Sequence, residues 1–336
     1  MSSYTSLLSV ASLDVFTDLI TKDFTYNQQM ITPIAQQLYI VDNREANSGD
    51  QVRYDEVDTE TFALLKAEGD DASKVSAGVG YNKTNQAKRI ATEIEITYEM
   101  RRYNKKPMIV SLMTNLSHFC PQRLELDLTH RITFATSSTY VDQDGQTVTV
   151  TMGDGYPLTY ATHDLANSSS TYRNRISGDP VLSQGSLESA EELANTNVLS
   201  NFGERRVLNF NTLVTGDDPN TCRTAKQIMN STADVDAAQS GVMNYYAGSY
   251  RHIKLPYLAT TAAGAYDSTK KKWWGIFAIG NGVNGSWQAY LSIFEPNNLK
   301  TPEEDVHSDN YVYGSRMSYC ITVVSGRGAI MSCPTT

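Results

Sequence analysis

Apolar residues recur at intervals of three and four along residues 107–136: Ile109, Leu112, Met113, Leu116, Phe119 and Cys120, then Leu124, Leu128 and Ile132. That spacing places one stripe along a single long helix. Pro107 suits the first turn, where a missing N–H costs nothing. Pro121 falls inside the stripe and predicts a kink or an interruption, with two shorter helices as the alternative. Ahead of this helix the period changes to two. Over residues 89–98, Ile90, Ile94, Ile96 and Tyr98 share one face while Arg89, Glu93, Glu95 and Thr97 share the other. Such alternation predicts a half-buried strand of an antiparallel ribbon. A shorter alternating stretch, Gln51 to Tyr54, predicts its outgoing partner.

Further along, Asp144-Gly145 between Val141 and Gln146–Val150 is a hairpin signal, and it explains Asp142 and Asp144 better than a calcium loop does. Helices are predicted from Ser186 to Asn195 and from Thr221 to Met229, the second with Asp218 as cap and Pro219 at its first position. From residue 240 short strands dominate: 252–258, 273–279, 287–294, 311–313 and 317–324. At the other end, Leu38 to Val41 predicts a strand, and Val15, Phe16, Leu19 and Ile20 share one face of a short helix within an N-terminal arm. The fold class is α+β.

Charge changes the reading of one segment. The chain carries a formal net charge of -9, which gives no support to a general nucleic-acid binder. Between residues 50 and 71 lie eight acids, among them Asp55, Glu56, Asp58 and Glu60; between 83 and 106 lie seven bases, among them Lys83, Lys88, Arg101 and Arg102. An acidic outgoing half and a basic returning half suit an arm laid on a neighbouring subunit, and these eight residues are the candidates for that contact. Two solvated strand faces of opposite charge are the alternative. Tyr, with 20 copies against 9 Phe and 3 Trp, suits surfaces buried on assembly as well as it suits a Tyr-rich sheet.

Candidate chemistry is sparse. No phosphate-binding loop, nucleophile elbow, zinc-protease helix or CxxC motif occurs. Cys120, Cys222, Cys320 and Cys333 lack metal-ligand spacing and are expected as small buried residues. His118 and His130 lie too far apart to share a metal, and His163-Asp164 is expected to be structural rather than a base and its orienter. The acids at 188–192 and 303–305 are expected on solvated faces. Lys270 to Lys272 before Trp273-Trp274 is expected as a turn into a buried strand rather than a nucleic-acid platform. No catalytic residue, cofactor or metal is assigned, and no apolar run reaches the length of a membrane span.

The order of these elements resembles the tailed-phage major capsid proteins of the Hong Kong 97-like fold. Ala67 to Asp70, Gly80 to Thr84 and Ala91 to Met100 are similar to that family's E-loop and its returning strand, and Glu125 to Phe134 to the end of its spine helix. Gly153 to Leu158 with His163, and Tyr172 to Arg175, resemble its peripheral (P) domain. Leu213-Val214, Asn244 to Gly248 and Trp273 to Phe277 resemble its axial (A) domain, and Tyr313 to Arg316 through Gly326-Arg327-Gly328 its closing strands. The resemblance implies an N-terminal arm (1–45), E-loop and flanking strands (46–106), a P-domain with the spine helix (107–200), an A-domain (201–294), a return to the P-domain (295–315) and C-terminal strands (316–336). It further implies a non-enzymatic subunit forming hexamers and pentamers around double-stranded DNA, contacted non-specifically. Such a subunit would be assembled in the host cytoplasm into the virion capsid, with a portal and a separate scaffolding or decoration protein as partners. An encapsulin-like nanocompartment shares the fold and is the alternative; an enzyme with an unrecognised carboxylate site is a more distant one.

Overall fold

A computed structural model describes residues 21–22, 24–25, 33–44, 49–59, 62, 65–69, 71–72, 74, 77–103, 105–232, 243–280, 286–300, 303–305 and 309–335. The predicted helix around Val15 to Ile20 lies outside the described residues. A 3-10 turn (Ala35–Leu38) leads into β1 (Ile40–Asn43), followed by β2 (Gln51–Thr59), β3 (Ala77–Gln86) and β4 (Lys88–Ile96). Helix α1 (Tyr98–Arg102) precedes α2 (Lys106–Thr133). Two small hairpins come next, β5 (Thr139–Val141) with β6 (Thr147–Thr149), and β7 (His163–Leu165) with β8 (Ser168–Tyr172). Then follow α3 (Gln184–Asn197), β9 (Thr212–Thr215), α4 (Pro219–Asn230), β10 (Arg251–Lys254), β11 (Trp274–Phe277), β12 (Gln288–Leu299), β13 (Glu303–Asp305), β14 (Asn310–Ser325) and β15 (Ala329–Ser332).

Local chemistry accounts for the boundaries. Ser183 caps α3 reciprocally with Ser186, and the Asp218 carboxylate accepts from the Thr221 amide at 3.0 Å to start α4. Asp142 Oδ1 accepts from the amides of Asp144 and Gln146, and Gly145 takes a φ of 74°, closing the β5–β6 turn.

Two sheets organise the chain. In the larger, β14 pairs with β12 and β13 along one edge and with β4 along the other, while β1 adds to β12 in parallel. The other runs β10-β9-β11-β15, with only the β10–β9 pair parallel. Between them the second half of α2 buries Leu124, Leu128 and Ile132 against Trp287, Leu291 and Tyr319. The smaller sheet carries α3 and α4, packed through Leu187, Ala225, Ile228, Trp274 and Ile276. The first half of α2 forms its own cluster from Ile109, Met113 and Leu116 with Phe24, Ile96 and Tyr313. Trp273 and Trp274 are both buried beyond the lysine turn, as the sequence predicted.

Two expectations change. Helix α2 is continuous through Pro121 rather than interrupted. Proline supplies no N–H to the Ser117 carbonyl, one turn back. Asn297, buried on β12, donates its side-chain amide to that carbonyl at 3.4 Å, and its own oxygen accepts from Ser315 at 2.5 Å. The larger sheet therefore supplies the donor that the helix lacks. Residues 89–98 are likewise not the ribbon's returning strand. β4 lies in the larger sheet, paired with β14 over Lys88 to Ile96, and Tyr98 begins α1 instead of ending the strand. The returning strand is β3, whose Gly- and Asn-rich sequence hides its alternation.

Candidate assembly site

The β2–β3 ribbon is antiparallel from Gln51↔Gln86 to Thr59↔Ala77, with a bulge between Asp55 and Val57. Its base is fastened at two places. Near the strand ends, the Tyr54 ring stacks on Tyr290 at 4.0 Å, and its hydroxyl bonds Asp42 (2.5 Å) and Ser292 (2.9 Å). Arg44 completes the group, 2.7 Å from Asp42 and 3.3 Å from the Tyr54 hydroxyl. On the opposite strand, the Asn85 amide donates to the Ile321 carbonyl and the Thr322 hydroxyl of β14, both at 3.1 Å.

Half-way along the ribbon is a buried ionic cluster. Arg327, 2% exposed, forms an ion pair with Glu56 and lies 3.5 Å from Asp58, which also meets Arg206 at 2.6 Å. The guanidinium donates as well to the Asn201 side-chain oxygen (2.9 Å), the Leu199 carbonyl (3.0 Å) and the Ser325 hydroxyl (3.2 Å). Asp58 accepts in addition from the Asn201 amide at 2.9 Å. Burial pushes the Arg327 guanidinium down to about 10, so it stays charged at neutral pH. Gly80 on β3 makes the approach possible: a Cβ there would stand 2.7 Å from the Glu56 carboxylate and collide with Asn201. The ribbon, the 199–206 turn and the final β-turn are thus joined by one set of charges.

The expected contact residues separate into distinct environments. Glu56 and Asp58, each 1% exposed, are committed inside their own chain and cannot face a neighbour. They continue the inward face that Val52 and Tyr54 begin, and the bulge, whose extra residue lies on β3, leaves that face of β2 unchanged. Asp55 is exposed and pairs with Arg53 at 2.7 Å. Lys83 donates to Thr151 at 3.0 Å, and burial lowers its ammonium pKa, reinforced by Arg131. Lys88 stands 3.5 Å from Asp142, and Arg102 folds over the Tyr98 ring and donates to its hydroxyl at 2.7 Å. Glu60 and the side chain of Arg101 lie outside the described residues. The acids of β2 therefore do not pair with the expected bases; the cations that hold them, Arg206 and Arg327, come from far along the chain. The Gly326-Arg327-Gly328 run was legible as part of the closing strands, and a lone cation between two glycines after an apolar strand is the signal that marks it.

The outward face of the ribbon has a different character. Val57, between Glu56 and Asp58, and its cross-strand partner Val79 are both exposed; past the end of β2, Phe62 is 64% exposed and Leu65 fully so. Elsewhere the remaining candidate groups are engaged in internal hydrogen bonds. His163 does not pair with Asp164: its ring nitrogens meet Asp154 at 2.7 Å and Asn174 at 3.2 Å, fully buried, while Asp164 accepts from Tyr156. Glu191 takes the hydroxyls of Tyr250 and Tyr246. The four cysteines are unpaired, with Cys120, Cys320 and Cys333 buried.

No family model matches the chain, and no curated protein matches it in sequence. Solved structures do. The capsid structure of the cyanophage P-SCSP1u superimposes with a TM-score of 0.53 at 12% identity, covering 89% of this chain and 87% of that one. The chain has the Hong Kong 97-like capsid fold. In the terms of that fold, β2 and β3 form the E-loop and α2 is the spine helix. The procapsid of bacteriophage JBD30 matches at a TM-score of 0.48 and 9% identity, over 98% of this chain and 77% of that one. A virus-like particle from Pyrococcus furiosus matches at 0.44 and 11%, over 94% and 98%. The shared fold rests on the cyanophage superposition.

Proposed function

We propose that this chain is the major shell subunit of a phage capsid, assembling as hexamers and pentamers into an icosahedral shell around double-stranded DNA. The observation that carries the reading is the capsid fold, shared with the cyanophage capsid over nearly the whole chain. The E-loop supports it physically. A two-stranded ribbon with exposed apolar side chains at Val57, Phe62, Leu65 and Val79 is a liability in a lone subunit and is covered when subunits pack. Tyr54 and Asn85 fasten its base and the buried charges around Arg327 hold it further along, so the two strands are fixed to their own chain. In this reading α2 and α3 belong to the P-domain (107–200), and β9–β11 with α4 to the A-domain (201–294) at the ring centre. The role is structural and requires no cofactor or catalytic site.

Asp55, Lys88, Arg101 and Arg102 remain the charges assigned to the neighbour contact, while Glu56 and Asp58 act as its root. The test replaces Phe62 and Leu65 together by Asp. The variant keeps the circular dichroism of the parent but fails to form particles in sucrose gradients. Normal particle yield from it removes the apolar tip from the account. The Arg101→Glu, Arg102→Glu double variant tests the charges in the same assay, with lowered yield expected and unchanged yield against them. Particles containing protein cargo and no nucleic acid would point to a nanocompartment instead of a virion.

A further inference from the structure

A half-open cleft of about 450 Å³ lies where the E-loop root, the end of the spine helix, the β5–β6 hairpin and β14 converge. The lining includes Lys88, Arg131 and Asp127, so two cations stand against one carboxylate in a chain whose net charge is -9. That carboxylate is already engaged, accepting from Arg123 at 3.1 Å and from the Tyr319 hydroxyl at 2.6 Å. Arg131 is the open group. Its Nη1 donates to the Thr149 carbonyl at 2.7 Å, while its Nε is buried with no hydrogen-bond partner. Among the described residues no carboxylate lies within ion-pair distance of Arg131. Lys88 is nearly half exposed, and its counter-charge Asp142 is divided between it and Arg123 at 3.5 Å each, too long for a strong direct bond.

The Nε is shielded from solvent, so an incoming ligand meets the remaining guanidinium N–H groups, and a planar guanidinium beside a second cation is the arrangement that oxyanions satisfy. Burial pushes the Cys320 thiol up, opposed first by its bond with Thr322 and then by Arg131, Arg44 and Lys88, of which Arg131 and Lys88 line the cleft. From the geometry we infer that this cleft binds a phosphate-type oxyanion, with Arg131 as its principal donor and Lys88 as the second charge. The oxyanion is either free inorganic phosphate or a backbone phosphate of nucleic acid. The inference does not depend on the shell reading, because it concerns a site within one chain.

The test uses inorganic phosphate and a fluorescein-labelled DNA duplex as probes on the full-length protein at constant ionic strength. Phosphate in place of chloride should raise the unfolding temperature by several degrees. Arg131→Gln should weaken phosphate binding about tenfold or more in titration calorimetry, because it removes the charge and the fork together. Lys88→Gln, at an exposed position where misfolding is not an issue, should weaken it by a smaller factor. Phosphate binding without duplex binding assigns the site to the free ion. Duplex binding that phosphate competes away, and that both variants weaken, assigns it to backbone phosphate. Absence of binding by either probe, or binding unchanged in both variants, overturns the inference.

Discussion

Replacing Arg327 by Met removes the cation that, among the described residues, faces Glu56, while leaving similar volume in its place. Holding the guanidinium out of water costs about 3 kcal/mol, since burial lowers its pKa from the ordinary arginine value to about 10 and each unit is worth about 1.4 kcal/mol. Five acceptors offset that cost: Glu56, Asp58, Asn201, the Leu199 carbonyl and Ser325. In the variant Asp58 keeps Arg206 at 2.6 Å and the Asn201 amide, so the loss falls mainly on Glu56, 1% exposed and left opposite an apolar side chain. Breaking one side of a buried ion pair costs about 3–5 kcal/mol, whereas removing both sides together is often close to neutral. Arg327→Met should therefore destabilise by about 3–5 kcal/mol, and adding Glu56→Gln should recover most of the loss. Urea unfolding followed through the buried Trp273, Trp274 and Trp287 measures both. A loss below about 1 kcal/mol in the single variant, or an equal loss in the double, refutes the claim that the pair is the E-loop's root.

Asn297→Ala should cost about 2 kcal/mol, because it strands the buried Ser117 carbonyl, and distinctly less in a Pro121→Ala background, where the helix supplies its own donor. The same urea series reads the difference, and equal costs in both backgrounds would refute the account of how α2 passes Pro121. Burial pushes His130 down to about 4, opposed by Asp127, so its folded pKa lies below the unfolded value of about 6.5. Its contribution is present above pH 6.5 and lost as the pH falls toward 4, by about 3 kcal/mol in all. Thermal unfolding across that window should show the fall, and His130→Gln should flatten it. Gly80→Val should prevent the E-loop from seating, since the added atoms meet Glu56 and Asn201, and limited proteolysis should cut the ribbon faster than in the parent.

The period-3.6 stripe from Ile109 to Ile132 was legible because most of its members are buried, Phe119 (43% exposed) and the half-buried Leu112 apart, and α2 follows it within a few residues. The caps at Ser183 and Asp218 and the turn at Gly145 are local chemistry, and the structure repeats it. Two features were not legible. Strand 89–96 alternates cleanly whichever partner it has, so alternation could not tell a free ribbon from a sheet strand between α2 and β14. The continuity of α2 through Pro121 depends on an amide 176 positions further along, at Asn297. For the ribbon, alternation along β2 puts Glu56 and Asp58 on the inward face, but that they meet buried cations there depends on Arg206 and Arg327, which are long-range facts.

Electron microscopy of the purified full-length protein tests the central claim most directly. A shell subunit gives closed particles of uniform diameter, built of six-fold and five-fold rings in which the ribbon of one subunit overlies the next. A discrete monomer at every concentration and ionic strength tried would contradict it.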